Sequence, residues 1–206
     1  MTAVKVKICG MMRAADVAAA IAAGVDALGF VFVPASKRCL DHTLAARLCR
    51  LVPAFITRVG LFLDQPADDI RQVLDQVPLN LLQFHGRESP EFCRQFGLPY
   101  IKAIAVEDSN SIHCAERKFY DAAGILVDSH QPGAMGGTGK TVDWGKVCPG
   151  ERPWILAGGL TPDNVAEAVH RLRPWAVDVA TGVEQSPGVK DEVAMKRFIQ
   201  EAKCER

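Results

Sequence analysis

The sequence has no excess of charge of either sign and no block of like charges. Lysine and arginine together number 24, and aspartate and glutamate also number 24, so the formal net charge is zero. Proteins that bind nucleic acid or anionic membranes usually carry clustered basic residues. The balance therefore disfavours nucleic acid and membrane surfaces as partners and favours a small molecule.

Long apolar runs and a secretory leader are also missing. The first residues, "MTAVKVKICG", contain no charged segment before a long apolar core, and no run approaches the roughly 20 apolar residues that cross a bilayer. The seven cysteines form an odd set without a CxxC pair, a pattern that favours reduced thiols over disulfides. We therefore expect a soluble cytoplasmic protein.

No low-complexity linker and no change in composition marks a domain boundary. The chain has 206 residues, of which 49% are hydrophobic, enough to bury one sizeable core. We expect a single domain that spans residues 1–206.

What the sequence does contain is a repeated alternation of a short apolar run, turn residues and a helical pattern. Such alternation is typical of βα units on a parallel sheet. The predicted strands are "VKVKIC", "DALGFVF", "ITRVGLFL", "LNLLQFH", "YIKAIAV", "GILVD", "WILAGG" and "AVDVATG". Eight units predict a (β/α)8 barrel, the TIM-barrel fold, with a doubly wound open sheet as the alternative.

The helices between these strands are predicted from caps and periodicity. Thr161 is the expected N-cap of the helix in "TPDNVAEAVHRLRP", with Pro162 at its first position. Thr43 is the expected N-cap of an earlier helix, whose buried face would consist of Leu44, Leu48 and Leu51. The helical patterns after the fifth and sixth strands are weak.

Functional side chains of a (β/α)8 barrel gather where its strands end, at the C-terminal face. Most of the predicted strands end in or just before polar or glycine residues: Cys9, Arg38, Asp64, His85, Asp128, Gly158, Gly159, Thr181 and Gly182. Each alone is explained by the need to end a strand in a turn. Their convergence on one face predicts a site.

Two glycine-containing loops follow the seventh and eighth predicted strands. Gly158 and Gly159 lie in the first loop, and Thr181 and Gly182 lie in the second. Glycine lets the backbone approach a ligand closely, and these two loops are the usual phosphate site of such barrels. Ordinary turn glycines explain either loop alone, but the two together favour phosphate binding.

Cys9 and Asp128 end the first and sixth predicted strands, which lie nearly opposite each other in an eight-stranded ring. A cysteine among apolar residues is more often an inert buried thiol, but facing a carboxylate across a pocket it can form a base and acid pair. Arg38 is either a surface charge or a bidentate partner for a substrate carboxylate.

A metal site is a weaker alternative. Asp64, His85, Asp128 and Asp178 are predicted on different strands and their oxygen and nitrogen atoms could bind a metal ion, but no HxxxH or His-x-Asp spacing supports this. We therefore expect no metal.

The stretch "GAMGGTGKT" looks like a nucleotide-binding P-loop but departs from that motif. Five residues separate Gly133 from Gly139, where the P-loop has four, and Pro149 and Pro153 soon interrupt any long helix after it. The stretch is better interpreted as a loop whose backbone amides cover a phosphate without a nucleotide.

Taken in order, these segments resemble the phosphoribosylanthranilate isomerase family. The matching stretches run from residue 7 to residue 191: "KICGMMR", "GVDALGFVFVPASKR", "VGLF", "QFHG", "LVDS", "GGTGKTVDW", "ILAGGLTPDNV" and "VDVATGVEQSPGVKD". The resemblance implies a (β/α)8 barrel that performs an Amadori rearrangement in tryptophan biosynthesis, without a cofactor or metal. The sequence leaves open whether the chain is a monomer or a homodimer.

The resemblance also implies residue roles. Cys9 would be the general base at C2′ of the ribose, and Asp128 the general acid at its ring oxygen. Arg38 would bind the anthranilate carboxylate. His85 and Asp178 would also contact substrate, while the phosphate would be bound by Gly137, Gly139, Gly158, Gly159, Thr181 and Gly182. The family's Ser-Pro-Arg is here Ser36-Lys37-Arg38, which keeps the arginine.

Three other interpretations remain open at this point. A related aminoaldose isomerase of histidine biosynthesis would be expected to have an aspartate where this chain has Cys9, and a ribulose-phosphate epimerase would need metal ligands. A catalytically silent barrel would not need Cys9, Asp128 and Arg38 together.

Overall fold

The computed structural model describes residues 3–129 and 142–204. Its eight parallel strands pair in chain order, and the last also pairs with the first, so they form a closed barrel. The strands are β1 (Lys5–Cys9), β2 (Ala27–Val31), β3 (Thr57–Phe62), β4 (Leu81–Phe84), β5 (Tyr100–Ala105), β6 (Gly124–Asp128), β7 (Trp154–Leu156) and β8 (Ala176–Val179). Closure confirms the predicted TIM-barrel fold and excludes the open sheet, which would have two edges.

Helices surround this barrel. The described residues form α1 (Ala14–Ala22), α2 (His42–Arg50), α3 (Ala67–Gln76), α4 (Pro90–Arg94), α5 (Ser111–Lys118), α6 (Val165–Leu172) and α7 (Glu192–Lys203). The weakly predicted helix after the fifth strand is therefore present as α5. After β6, the described part of the connection contains only a 3-10 turn, Trp144–Lys146. No helix in the described ranges is long and apolar enough to span a membrane.

Alternation along each strand separates two layers of side chains. On β1, Val6 and Ile8 are buried in the large core between strands and helices, whereas Cys9 belongs to a small cluster at the barrel mouth. Successive side chains of a strand point to opposite faces, so Lys7 and Cys9 share the inner one. Full burial of a large apolar side chain such as Phe84 contributes about 1.5–3 kcal/mol.

Two of the predicted helix starts are wrong. Helix α6 begins at Val165 rather than after Thr161, because residues 161–164 form a turn. Within that turn the Asn164 side chain accepts a hydrogen bond from the Thr161 amide at 2.8 Å and donates one to the Gly159 carbonyl at 3.0 Å. Asn164 thereby fixes the loop after β7, and Pro162 lies outside the helix.

Helix α2 begins two residues earlier than its predicted cap allows. Asp41, not Thr43, is the N-cap, because its carboxylate accepts a hydrogen bond from the Leu44 amide at 2.8 Å. The predicted inward position of Leu51 is also wrong: the helix ends at Arg50, and Leu51 is 51% exposed.

A short hairpin between β8 and α7 was not predicted. It follows a 3-10 turn, Thr181–Val183, and pairs β9 (Glu184–Ser186) with β10 (Val189–Lys190) in antiparallel fashion. The Pro187-Gly188 dipeptide is a turn signal that could have revealed it. The hairpin forms one side of the barrel mouth, because four of its residues, including Pro187 of the turn, line the cavity there.

Candidate active site

A cavity of about 520 Å³ opens at the C-terminal ends of the strands. Its volume is in the range of small-molecule sites. Among the side chains that line it are six that the sequence analysis singled out: Cys9, Arg38, His85, Asp128, Asp178 and Thr181. The structure thus brings together residues from β1, β6, β8 and three loops, as expected for this end of a barrel.

Other predicted residues lie elsewhere. Gly158, Gly159 and Gly182 are in the expected loops but are not part of the cavity lining. Gly137 and Gly139 lie outside the described residues, together with the rest of the "GAMGGTGKT" stretch.

Cys9 lies at the end of β1 with 5% of its surface exposed. Its neighbour across the sheet is Gly29, where a Cβ atom would lie 2.7 Å from the Cys9 sulfur, so the glycine leaves room for the thiol. Burial raises the pKa of the Cys9 thiol above its ordinary value, and the Lys7 ammonium acts in the opposite direction. A base at this position needs such a cation, because only the thiolate accepts a proton.

Asp128 lies at the end of β6 beside His85. The Nε2 atom of His85 is 3.5 Å from Oδ2 of Asp128, and its Nδ1 atom is 3.2 Å from the amide nitrogen of Gln83. Burial lowers the pKa of His85, so the imidazole is neutral at pH 7. The Gln83 amide nitrogen can only donate, so Nδ1 accepts and the ring proton is on Nε2. Among the described residues Nε2 has no hydrogen-bond partner, and Oδ2 of Asp128 lies beside it.

Arg38 is held at the cavity mouth by an acidic partner from the hairpin. Its Nε and Nη2 atoms donate to the two carboxylate oxygens of Glu184 at 2.8 and 2.5 Å. Its aliphatic stem crosses Gly10, where any Cβ atom would overlap the arginine. Arg38 is therefore not a solvated surface charge. The bond to Glu184 engages two of its five N–H groups and leaves three.

Lys190 completes this cluster from the hairpin side. Its ammonium donates to the carbonyl of Cys9 at 2.7 Å, the carbonyl of Ala180 at 2.9 Å and the carboxylate of Glu184 at 2.9 Å. Glu184 therefore bridges Lys190 and Arg38, and fixes the hairpin against β1 and the loop after β2.

A second buried ion pair lies at the floor of the cavity, where Asp178 is one of the lining residues. The Lys7 ammonium is 2.8 Å from Oδ2 of Asp178, and the two residues are Cα partners on the adjacent strands β1 and β8. The sequence analysis did not single out Lys7, Gln83, Glu184 or Lys190. The signal for Lys7 was its place in the apolar run "VKVKIC", two residues from Cys9 and thus on the same face.

The loops after β7 and β8 pack closely against each other. Gly158 and Gly159 have positive φ angles of 79° and 67°, which favour glycine. A Cβ atom at Gly158 would lie 2.6 Å from the Ser129 amide, and one at Gly182 would overlap the Leu160 carbonyl. Glycine is therefore needed at these two positions, because the backbones of neighbouring loops are in contact there.

Asp64 lies away from the cavity and connects two loops. Its carboxylate accepts a hydrogen bond from the Arg87 amide at 2.5 Å, and its own amide donates to Glu88 at 2.9 Å, which ties the loop after β3 to the loop after β4. Within residues 3–129 and 142–204, no group of three or more His, Cys, Asp or Glu side chains is arranged to hold a metal ion.

The thiol, carboxylates and cations of this closed (β/α)8 barrel meet at its C-terminal mouth. This arrangement is typical of barrel enzymes that act on small molecules. The family model described as N-(5'phosphoribosyl)anthranilate (PRA) isomerase matches residues 6–201. The chain therefore belongs to the phosphoribosylanthranilate isomerase family, a family of aldose-ketose isomerases in tryptophan biosynthesis. This confirms the family expected from the sequence.

Relatives and solved structures agree with this assignment. The N-(5'-phosphoribosyl)anthranilate isomerases of Chromohalobacter salexigens and Thiobacillus denitrificans are each 52% identical to the chain; the matches cover 95% and 98% of it, and 92% and 99% of the relatives. The crystal structure of the Thermotoga maritima phosphoribosyl anthranilate isomerase is 40% identical, with a TM-score of 0.88, and covers 97% of this chain and 98% of that one.

A further crystal structure of a phosphoribosyl anthranilate isomerase contains reduced 1-(o-carboxyphenylamino)-1-deoxyribulose 5-phosphate. It is 36% identical to this chain, with a TM-score of 0.82, over 97% of this chain and 98% of the other.

Proposed function

We propose that this chain converts N-(5'-phosphoribosyl)anthranilate to 1-(2-carboxyphenylamino)-1-deoxyribulose 5-phosphate by general acid-base catalysis without a cofactor. The observation that carries the proposal is that Cys9 of β1 and Asp128 of β6 line the same cavity. They come from distant strands of the ring, so a substrate between them can lose a proton on one side and gain one on the other.

In this mechanism Asp128 protonates the ribose ring oxygen, and the ring opens to give a cationic Schiff base. The Cys9 thiolate then removes the proton from C2′, and the electrons of that C–H bond neutralise the iminium nitrogen. The resulting enol tautomerises to the ketone. His85, whose Nε2 atom is 3.5 Å from Oδ2 of Asp128, borders the carboxyl group in the first step.

The remaining cavity residues bind the substrate. The three N–H groups of Arg38 that Glu184 leaves available suit the anthranilate carboxylate. His85 and Asp178 border the space for the ribose. The phosphate is assigned to the backbone around Gly158, Gly159, Thr181 and Gly182, and to Gly137 and Gly139, which lie outside the described residues. Binding at both ends of the substrate orients the reacting carbon.

The partner that this cavity fits is a small anionic phosphosugar, with neither nucleic acid nor a membrane surface involved. We place the enzyme in the cytoplasm, in keeping with seven cysteines that are all free.

The proposal is tested by complementation of a tryptophan auxotroph that lacks this isomerase, with chromatographic assay of the purified protein on the same substrate. Rescue and conversion of the substrate are expected. Conversion of only the histidine-pathway aminoaldose would favour the related isomerase instead, and a protein that converts neither would be a silent barrel.

Replacing Arg38 with methionine is expected to lower kcat/KM about 10- to 100-fold, mainly through a higher KM. The loss corresponds to a charge-assisted bidentate contact of about 1.5–3 kcal/mol. Steady-state kinetics measure it, with Arg87→Met as the matched control because Arg87 is exposed and outside the cavity. An unchanged KM in Arg38→Met, with the fold intact by circular dichroism, would remove Arg38 from carboxylate binding.

We also propose that the chain forms a homodimer through the face opposite the cavity. Four exposed large apolar side chains, Leu51, Phe55, Tyr120 and Trp175, lie in connections that enter strands, and thus at the N-terminal end of the barrel. The phosphoribosylanthranilate isomerase of T. maritima, a related enzyme, is dimeric.

Sedimentation equilibrium is expected to give a dimer for the wild type and a monomer for Phe55→Ser, because Phe55 is fully exposed in one copy. Val193→Ser, on the exposed surface of α7, is the control and should not change the mass. A monomeric wild type at micromolar concentration would contradict the proposal.

A further inference from the structure

Lys7 lies inside the barrel below Cys9, in a place that the proposed reaction does not use directly. It precedes Cys9 by two residues on β1, so both side chains point inward. Lys7 is 5% exposed and Asp178, its partner, is 7% exposed. In the described part of the chain, the second carboxylate oxygen of Asp178 is buried without a hydrogen-bond partner.

A gain in stability does not explain why this ion pair is buried. Taking two charges out of water costs several kcal/mol per ion, and apolar residues of similar volume are often as stabilising. A barrel interior such as the layer of Ile101, Leu126 and Ile155 accepts apolar side chains readily. The position of this pair, beside Cys9 in the barrel interior, therefore indicates a functional role that its burial alone would not.

We propose that Lys7 is a positioning residue that stabilises the thiolate form of Cys9, and that Asp178 limits this effect by partly neutralising Lys7. The inference deepens the proposed function, since it rests on Cys9 as the base. It assigns to Lys7 a role that requires no contact with the substrate.

Other charges near Cys9 are already compensated by a partner of their own. Lys190 and Arg38 share the carboxylate of Glu184, and Lys190 also donates to the Cys9 carbonyl. In the described part of the chain, the remaining titratable groups that line the cavity are His85, whose pKa is lowered by burial, Asp128, and the exposed Lys37 in the loop after β2. Lys190 also lowers the pKa of the Cys9 thiol, but by less than Lys7 does, so the balance of Lys7 against Asp178 supplies the larger part of the charge felt by the thiol.

The Coulombic effects of the two residues on Cys9 have opposite signs. The Lys7 ammonium lowers the pKa of the thiol and the Asp178 carboxylate raises it, after burial has raised it most. Removing Lys7 therefore disfavours the thiolate, and removing the charge of Asp178 favours it. Misfolding or loosening of the barrel would not shift the pKa of Cys9 in opposite directions in the two variants.

The test is the pH dependence of Cys9 alkylation by iodoacetamide in the full-length, substrate-free protein, followed by mass spectrometry of the tryptic peptide that contains Cys9. The midpoint is the pH at which the alkylation rate reaches half its maximum. Lys7→Met is expected to move this midpoint upward by about one pH unit or more, which slows alkylation at neutral pH about tenfold. Asp178→Asn is expected to move the midpoint downward, and Lys7→Arg to keep it near that of the wild type.

Lys102→Met is the matched control. Lys102 is also buried and also paired with a carboxylate, that of Glu88 at 3.1 Å, but it lies on the helix side of the sheet, where its ammonium is 5.8 Å from the centre of the Phe119 ring. Its loss should leave the Cys9 midpoint unchanged. Lys7→Met leaves a buried carboxylate unpaired; if that variant does not fold, Lys7→Met/Asp178→Asn removes both charges, and its midpoint should lie above that of Asp178→Asn.

Midpoints that do not move, or that move in the same direction in Lys7→Met and Asp178→Asn, would overturn the inference. So would equal midpoints in the double variant and Asp178→Asn. The measurement needs no substrate, so it is separate from the proposed reaction: an inactive wild type with the expected midpoints would contradict the reaction but leave the electrostatic role of Lys7 intact.

Discussion

Replacing Cys9 with alanine is expected to lower kcat/KM by about 10²- to 10⁴-fold, the usual contribution of a general base. The C2′ proton is bound to carbon, so its removal needs a base held in place, and alanine removes the base without overfilling the narrow space beside Gly29. Steady-state kinetics with the purified variant measure the loss.

The pH profile of the wild type gives a second measure of the same role. Burial raises the pKa of the Cys9 thiol, and only the thiolate can accept the proton. The ascending limb of kcat/KM should therefore extend above neutral pH, with activity falling as pH decreases and the thiol becomes protonated. This limb should be missing from the residual activity of Cys9→Ala.

Cys114→Ala is the matched control, because Cys114 is an exposed thiol on α5, outside the cavity. It should match the wild type in kcat/KM. A Cys9→Ala enzyme with wild-type turnover would show that another group removes the proton.

Replacing Asp128 with asparagine is expected to lower kcat by a similar factor, about 10²- to 10⁴-fold. The amide has nearly the same shape as the carboxyl group and keeps its place beside Nε2 of His85, which is 3.5 Å from the carboxylate in the wild type. It cannot deliver an acidic proton to the ring oxygen. The change therefore isolates proton transfer from packing.

For Asp128→Asn the loss should be in kcat, with little change in the affinity for a product analogue measured by isothermal titration calorimetry. Asp75→Asn, an exposed position on α3, is the control and should behave as the wild type. If Asp128→Asn lost affinity but kept kcat, Asp128 would be a binding residue and the general acid would lie elsewhere, with His85 as the next candidate.

The barrel was predictable because its signals are local. Each strand is a short apolar run ended by turn residues, and eight such runs alternating with helical patterns leave few possible folds. The wrong predictions of helix N-caps at Thr161 and Thr43 have a common cause. More than one polar residue near each helix start can cap it, and contacts outside the helix, such as the bond from Asn164 to the Gly159 carbonyl, decided the position in α6.

The candidate site was predictable to the extent that its residues end strands. Cys9, Asp128 and Arg38 could be chosen from their positions and from the family resemblance, and all three line the cavity. Glu184 lies within a matching motif, but its role could not be predicted, because nothing in the local sequence shows that it binds Arg38. Those two residues are 146 positions apart in the chain.

The sequence by itself determined the eight βα units, the family and the face on which the polar side chains gather, since these depend on periodicity, turn residues and motif order. Only the tertiary structure decided the partners of the charges. Lys7 in its apolar strand has no partner within its own segment, and Asp178 is 171 residues away. Barrel closure pairs β1 with β8, and this pairing places the ammonium and the carboxylate side by side beneath Cys9.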